Sequence, residues 1–178
     1  MSDLKTSVLE LKGQQEHDDK VFPFAYRCDS GEATLDEATA WTAEHADKLC
    51  SQAAEHGAIL LRGFPLASVE DFDAMVEAFS LPNFSYDDSL SNAYRINFTP
   101  RVFSANEAPP EATISLHHEM AQTPIYPSKL FFFCQVAAET GGTTPICRSD
   151  VLWERLVEKR PAFASDCMEK GLRYANVM

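Results

Sequence analysis

The chain has 178 residues, 45% of them hydrophobic and twelve of them phenylalanine, which is enough apolar material for one ordinary domain and excludes a disordered tail. A formal net charge of −12 and a pI near 4.7 leave no basic surface to neutralise phosphates, which argues against nucleic acid and anionic membrane as partners and favours a small molecule. Cys28, Cys50, Cys134, Cys147 and Cys167 are odd in number and contain no C-x-x-C pair. With no secretory signal at the start and no apolar run long enough to cross a bilayer, they read as reduced thiols in a cytoplasmic protein.

In chain order, residues 1–19 are polar and end in a charge-rich run, so they are expected to form a loose N-terminal arm. Residues 21–26 read as a short edge strand, because Pro23 cannot donate to a central ladder. Residues 36–56 form the clearest helix: Ala38, Trp41, Thr42, His45, Leu49 and Ala53 recur at helical spacing and Gly57 sits at the C-terminal cap. His45 on its apolar side is expected to be a satisfied core histidine, and His56 in the last turn suits the helix dipole. Residues 57–64 read as a buried strand. Ser68 to Asp71 then opens a second helix with the apolar stripe Val69, Phe72, Met75, Val76 and Phe79.

Residues 81–110 are turn-rich, with one strand expected over 94–98. Polar loops on a rigid support are where binding residues gather, and Arg95, Arg101 and Asn106 are the candidates for substrate contact. Each has a plainer reading as a turn former or surface charge. Residues 114–120, Ile-Ser-Leu-His-His-Glu-Met, read as a strand. Side chains two apart on a strand leave the same face, so His117 and Glu119 would point together, with Cα atoms roughly 6.6 Å apart at about 3.3 Å of rise per residue. An imidazole nitrogen and a carboxylate oxygen at that spacing suit one metal ion. The pattern alone is weak, since His-x-Asp/Glu arises by chance roughly 0.8 times in a chain of this composition.

Residues 129–136 read as a strand apolar on both faces, and Gly141 and Gly142 make a turn into a further strand start at 143–147. Ser149 or Asp150 would cap a helix over 149–160, Pro161 would open a second over 161–170 closed by Gly171, and 172–178 begin another strand.

Together, residues 105–110, 114–122, 126–132, 141–146 and 161–163 resemble the TauD/TfdA group of iron(II)- and 2-oxoglutarate-dependent dioxygenases, especially its clavaminate synthase-like branch. The resemblance is dense from about 105 to 174 and fainter through 57–64. It implies an α+β protein whose core is a double-stranded β-helix, or jelly roll, with flanking helices, occupying residues 20–178. It also implies an iron held by two histidines and a carboxylate, with three positions left for 2-oxoglutarate and dioxygen. His117 matches the first histidine. Glu119 matches the carboxylate, where aspartate is commoner and the longer arm must be accommodated. Thr144 matches the threonine that hydrogen-bonds a 2-oxoglutarate carboxylate. The implied reaction hydroxylates an unactivated carbon of a small substrate, amino-acid-like or carboxylate-bearing, while 2-oxoglutarate is decarboxylated to succinate.

The pattern is incomplete. The family's second histidine and its 2-oxoglutarate-binding arginine fall well beyond the glycine motif, and no histidine follows Thr144 here. His17, His45 and His56 all precede the motif. The expectation is therefore a jelly roll cut before its closing strands, carrying two of three iron ligands. The competing readings are an incomplete fragment or relic acting as a metal-binding or structural module, and a plain β domain in which the His117 segment is structural only.

Overall fold

The computed structural model describes residues 4–84, 95–105, 109 and 111–175. They divide into two compact units, Met1–Thr144 and Pro145–Met178.

The first unit is built on a small sheet. Strand β1 (Thr6–Val8) pairs antiparallel with β4 (Phe24–Cys28), and β4 pairs parallel with β5 (Ile59–Arg62). The order is β1-β4-β5. Strands β2 (Gln15–His17) and β3 (Lys20–Phe22) make a separate hairpin. Two expectations are corrected here. The arm expected over 1–19 is not loose where it is described, from Leu4 on, because β1 takes up the free edge of β4 and Leu4 enters the core. The strand expected over 21–26 is not one edge strand. It breaks at Pro23, whose carbonyl accepts from Gln14 Nε2 at 2.7 Å, and the part after the break is the middle strand of the sheet. A residue without an N–H sits at the junction, where no ladder bond is required of it.

A parallel pair needs a crossover, and helix α1 (Leu35–His56) supplies it between β4 and β5. Its start is set by a capping box: the Thr34 hydroxyl accepts from the Glu37 N–H at 3.3 Å, and the Glu37 carboxylate accepts from the Thr34 N–H at 2.8 Å. Gly57, at φ 82°, ends it in a left-handed conformation that costs a side chain-bearing residue more. Ala38, Trp41 and Leu49 face the sheet and join Leu4, Tyr26 and Met75 in the core. Trp41 lies edge-on to Tyr26, tilted against Phe64, and stacked on His45, whose Nδ1 donates to the Trp41 carbonyl at 2.8 Å. His56 likewise donates to the Val21 carbonyl, so both helix histidines have structural partners, as their positions suggested.

Helix α2 (Val69–Glu77) packs beside α1 and sends Met75 into the core, where the buried Thr42 hydroxyl reaches its sulfur at 3.1 Å. Ser68 and Asp71 close the expected capping box. Phe72 on α2 packs against Phe133, and Phe79, just past the end of the helix, packs against Phe131. Phe131 and Phe133 thus share a side, and Phe132 between them is 69% exposed.

Residues 129–136 therefore form no strand, and Phe131 and Phe133 are covered on one side only. Nor do 114–120, 143–147 or 172–175 form strands; they belong to no ladder among the described residues. A strand exists through its hydrogen-bonded partner, and β-prone residues without one stay extended and unlaced. The result among the described residues is mixed α/β with few, short strands.

The second unit is a helical pair. Helix α3 (Ser149–Lys159) ends before Pro161, which opens α4 (Pro161–Lys170), and the two pack on each other with Ala164 buried. Neither Ser149 nor Asp150 caps α3. Arg148 holds the N-cap position without a side-chain cap bond, and its guanidinium pairs with the Asp150 carboxylate instead. That guanidinium keeps the Asp150 carboxyl ionised far below the usual carboxylate range.

Candidate functional site

Two pieces of the first unit meet at the candidate site through Arg95 and Glu119. One is a tight loop over 95–105, closed by a bridge between Asn97 and Phe103 and by the Ser104 N–H donating to the Ile96 carbonyl at 2.8 Å. The Thr99 hydroxyl organises its tip. It accepts from the N–H groups of Arg101 and Val102 and donates to Asp73 Oδ1 on α2 at 2.9 Å. Arg101 also reaches back to α2, donating to Asp73 Oδ2 at 3.2 Å and to Glu77 Oε1 at 2.5 Å. A candidate substrate contact is thus occupied as a tether between loop and helix.

Arg95, on the first arm of the loop, lies 5.3 Å from the centroid of the Phe103 ring. It donates to the Ser104 carbonyl at 3.3 Å and to Glu119 Oε1 at 3.1 Å. The side chains of Arg95 and Glu119 are 14% and 18% exposed, so this is a half-buried ion pair. Asn106 lies outside the described residues.

The second piece is the segment carrying His117 and Glu119. It is not the regular strand expected: His117 is exposed in irregular backbone and Glu119 begins a turn. Met120 follows at φ 59°, a left-handed conformation that costs a side chain-bearing residue about 1–2 kcal/mol. Its side chain is buried, which offsets that cost. Backbone bonds from Ala121 to His118 and from Thr123 to Met120 close the turn, and the Thr123 hydroxyl lies against the Met120 and Ile125 carbonyls. The period-two argument for 117 and 119 fails because the turn, not a pleat, sets the direction of Glu119.

His117 Nδ1 stands 2.8 Å from the Ser115 carbonyl oxygen. A carbonyl only accepts, so Nδ1 carries a proton, and Nε2 is the nitrogen whose lone pair could meet a metal. Metal-binding histidines are typically oriented this way, with the second nitrogen donating to a backbone carbonyl or carboxylate. The donor types thus fit an iron centre in kind, as one imidazole and one carboxylate. Among the described residues no group of three or more His, Cys, Asp or Glu could hold a metal ion together. Thr144 is exposed at the end of the Gly141-Gly142 turn, both glycines having positive φ.

The sequence reading missed the pairing of Arg95 with Glu119. Nothing local encodes it, since the two residues lie 24 apart and meet only through the loop closure.

The family model described as taurine catabolism dioxygenase TauD, TfdA family matches residues 20–178. The chain belongs to the TauD/TfdA family. TauD/TfdA proteins have a jelly-roll fold, and the enzymes among them generally use iron(II) and 2-oxoglutarate. A clavaminate synthase-like protein of Arabidopsis thaliana is 46% identical over 124 residues, covering 70% of this chain and 37% of that protein. The dapdiamide synthesis protein DdaC of Enterobacter agglomerans is 28% identical over 120 residues, covering 67% of this chain and 35% of that one. The chain thus spans little more than a third of the length of these two relatives. No helix among the described residues is long and apolar enough to cross a membrane.

Proposed function

We propose that this protein works as an iron(II)- and 2-oxoglutarate-dependent oxygenase that hydroxylates an unactivated carbon of a small, amino-acid-like or carboxylate-bearing substrate. Its partners would be that substrate and dioxygen, and its compartment the cytoplasm. One observation carries the reading. In a TauD/TfdA chain, His117 is held by the Ser115 carbonyl with Nε2 as its lone-pair nitrogen, two residues from a half-buried carboxylate.

In this reading His117 Nε2 and a Glu119 oxygen hold the iron, and the Thr144 hydroxyl donates to a carboxylate of 2-oxoglutarate. The metal, when bound, supplies the oxidation of the carbon through dioxygen and 2-oxoglutarate. The chain's own part is positional. The Ser115 carbonyl fixes the imidazole proton on Nδ1, the turn at Met120 directs Glu119, and the tether of Arg101 to Asp73 holds the loop that carries Arg95. The second histidine and the 2-oxoglutarate arginine would come from polypeptide outside these 178 residues, which the short coverage of the relatives supports.

A second reading is a metal-binding or structural module without turnover, and the two-donor set among the described residues favours it. Anaerobic titration of the complete gene product with Fe(II) and 2-oxoglutarate separates them. An oxygenase gives a visible metal-to-ligand charge-transfer band, and succinate when air is admitted. A complete gene product giving neither would refute the oxygenase reading.

A further inference from the structure

The geometry points to Arg95 as the positioning residue of the Glu119 carboxylate: it occupies Oε1 and leaves the second oxygen as the single donor to the metal. This rests on the proposed ligand pair and goes beyond it, because neither the resemblance nor the spacing of the motif assigns a partner to Glu119.

The guanidinium is fixed before Glu119 is considered. It lies over the Phe103 ring at 5.3 Å and donates through Nη1 to the Ser104 carbonyl at 3.3 Å, both within its own loop. That loop is itself tethered to α2 through Thr99 and Arg101. Nη2 is then a stationary donor, and Glu119 Oε1 meets it at 3.1 Å. A glutamate has one more torsion than the aspartate commoner at this position. Without a brace its carboxylate would sample several orientations and could close on a cation through both oxygens. A rigid donor on one oxygen removes that freedom, and carboxylate ligands in metal sites are typically braced by such outer hydrogen bonds. The half-buried setting of the pair strengthens the charge-assisted bond relative to one in bulk water.

Removing the guanidinium has opposed effects on affinity. It relieves repulsion between two cations and loosens the ligand. Coordination geometry, not affinity, is therefore the decisive readout. The complete gene product is loaded with Co(II) alone, and its d–d absorption is recorded for the wild type and for Arg95→Met, which keeps the stem against Phe103 and removes charge and donors. Arg95→Gln serves the same comparison if the first variant does not fold. The expected result is a changed band position and intensity as Glu119 closes through both oxygens. A variant spectrum superimposing on the wild type, with only the melting temperature lowered, would make the pair a packing contact and overturn the inference. His117→Ala is the separate control. If it retains the wild-type Co(II) spectrum, the ligand pair itself is wrong, whereas its loss of that spectrum beside an unchanged Arg95→Met leaves the ligand pair standing and removes only the role given to Arg95.

Discussion

Arg101 ties the 95–105 loop to α2, and its replacement by methionine is the most informative perturbation. Two contacts are lost. The bond to Glu77 joins a carboxylate that is 64% exposed, and such pairs contribute about 0–1 kcal/mol. The bond to Asp73 is half-buried, and Asp73 also accepts from the Thr99 hydroxyl, so the lost interaction contributes about 1–2 kcal/mol. Together Arg101→Met should cost about 1–3 kcal/mol, a fall in melting temperature of about 2–12 °C for a chain of this size. Thermal melts by circular dichroism check the stability. Succinate formation by the complete gene product, measured against substrate concentration, checks the function, with KM expected within about twofold of wild type. An unchanged melt together with a KM raised tenfold or more would show that Arg101 holds substrate and that the tether is incidental.

Trp41→Ala should cost about 3–5 kcal/mol, since it empties a buried site walled by Tyr26, His45 and Phe64, and urea titration should find the variant near the limit of folding. Ser68→Ala should lower stability by about 1 kcal/mol through loss of the cap of α2, read from the same titration. The Ala67 and Ser68 N–H groups hold the Asp71 carboxyl below its ordinary value, so its contribution is present above the unfolded pKa and lost as pH falls through the lower folded one. Asp71→Asn should therefore destabilise at pH 7 and shrink the difference in urea midpoint between pH 7 and pH 3, and an undiminished difference would count against this assignment. The 178-residue chain alone should self-associate on size-exclusion chromatography, because Leu116, Phe132 and Val136 are 61%, 69% and 85% exposed; a monodisperse monomer would contradict that.

What the sequence disclosed follows the range of the interactions. Helices α1, α2, α3 and α4 were legible because periodicity, capping residues, Gly57 and Pro161 act within a few residues. The Thr34 to Glu37 capping box went unread although its Thr-x-x-Glu signature lies in the sequence, and the helix start was placed at Asp36. Strand β1 was missed because three residues, two of them polar, carry no signal of their own and acquire meaning only on the edge of β4. The strands expected over 114–120 and 129–136 erred in the opposite direction, since β-propensity was present and a partner was not. At the site, residue types were legible and relations were not. His117 and Glu119 stood out by kind, while the Arg95 and Arg101 pairings depend on how the loop over 95–105 closes.

Helix α2 carries more than its length suggests. One side chain, Asp73, receives the loop tip, Phe72 on the same helix receives Phe133, and Phe79 just past its end receives Phe131. Fraying of this nine-residue element would release the Arg95 loop and the 131–133 segment in one step. Slow amide exchange in these three stretches should then vanish at a common denaturant concentration, making a peripheral helix the hinge pin on which the candidate centre is either assembled or dispersed.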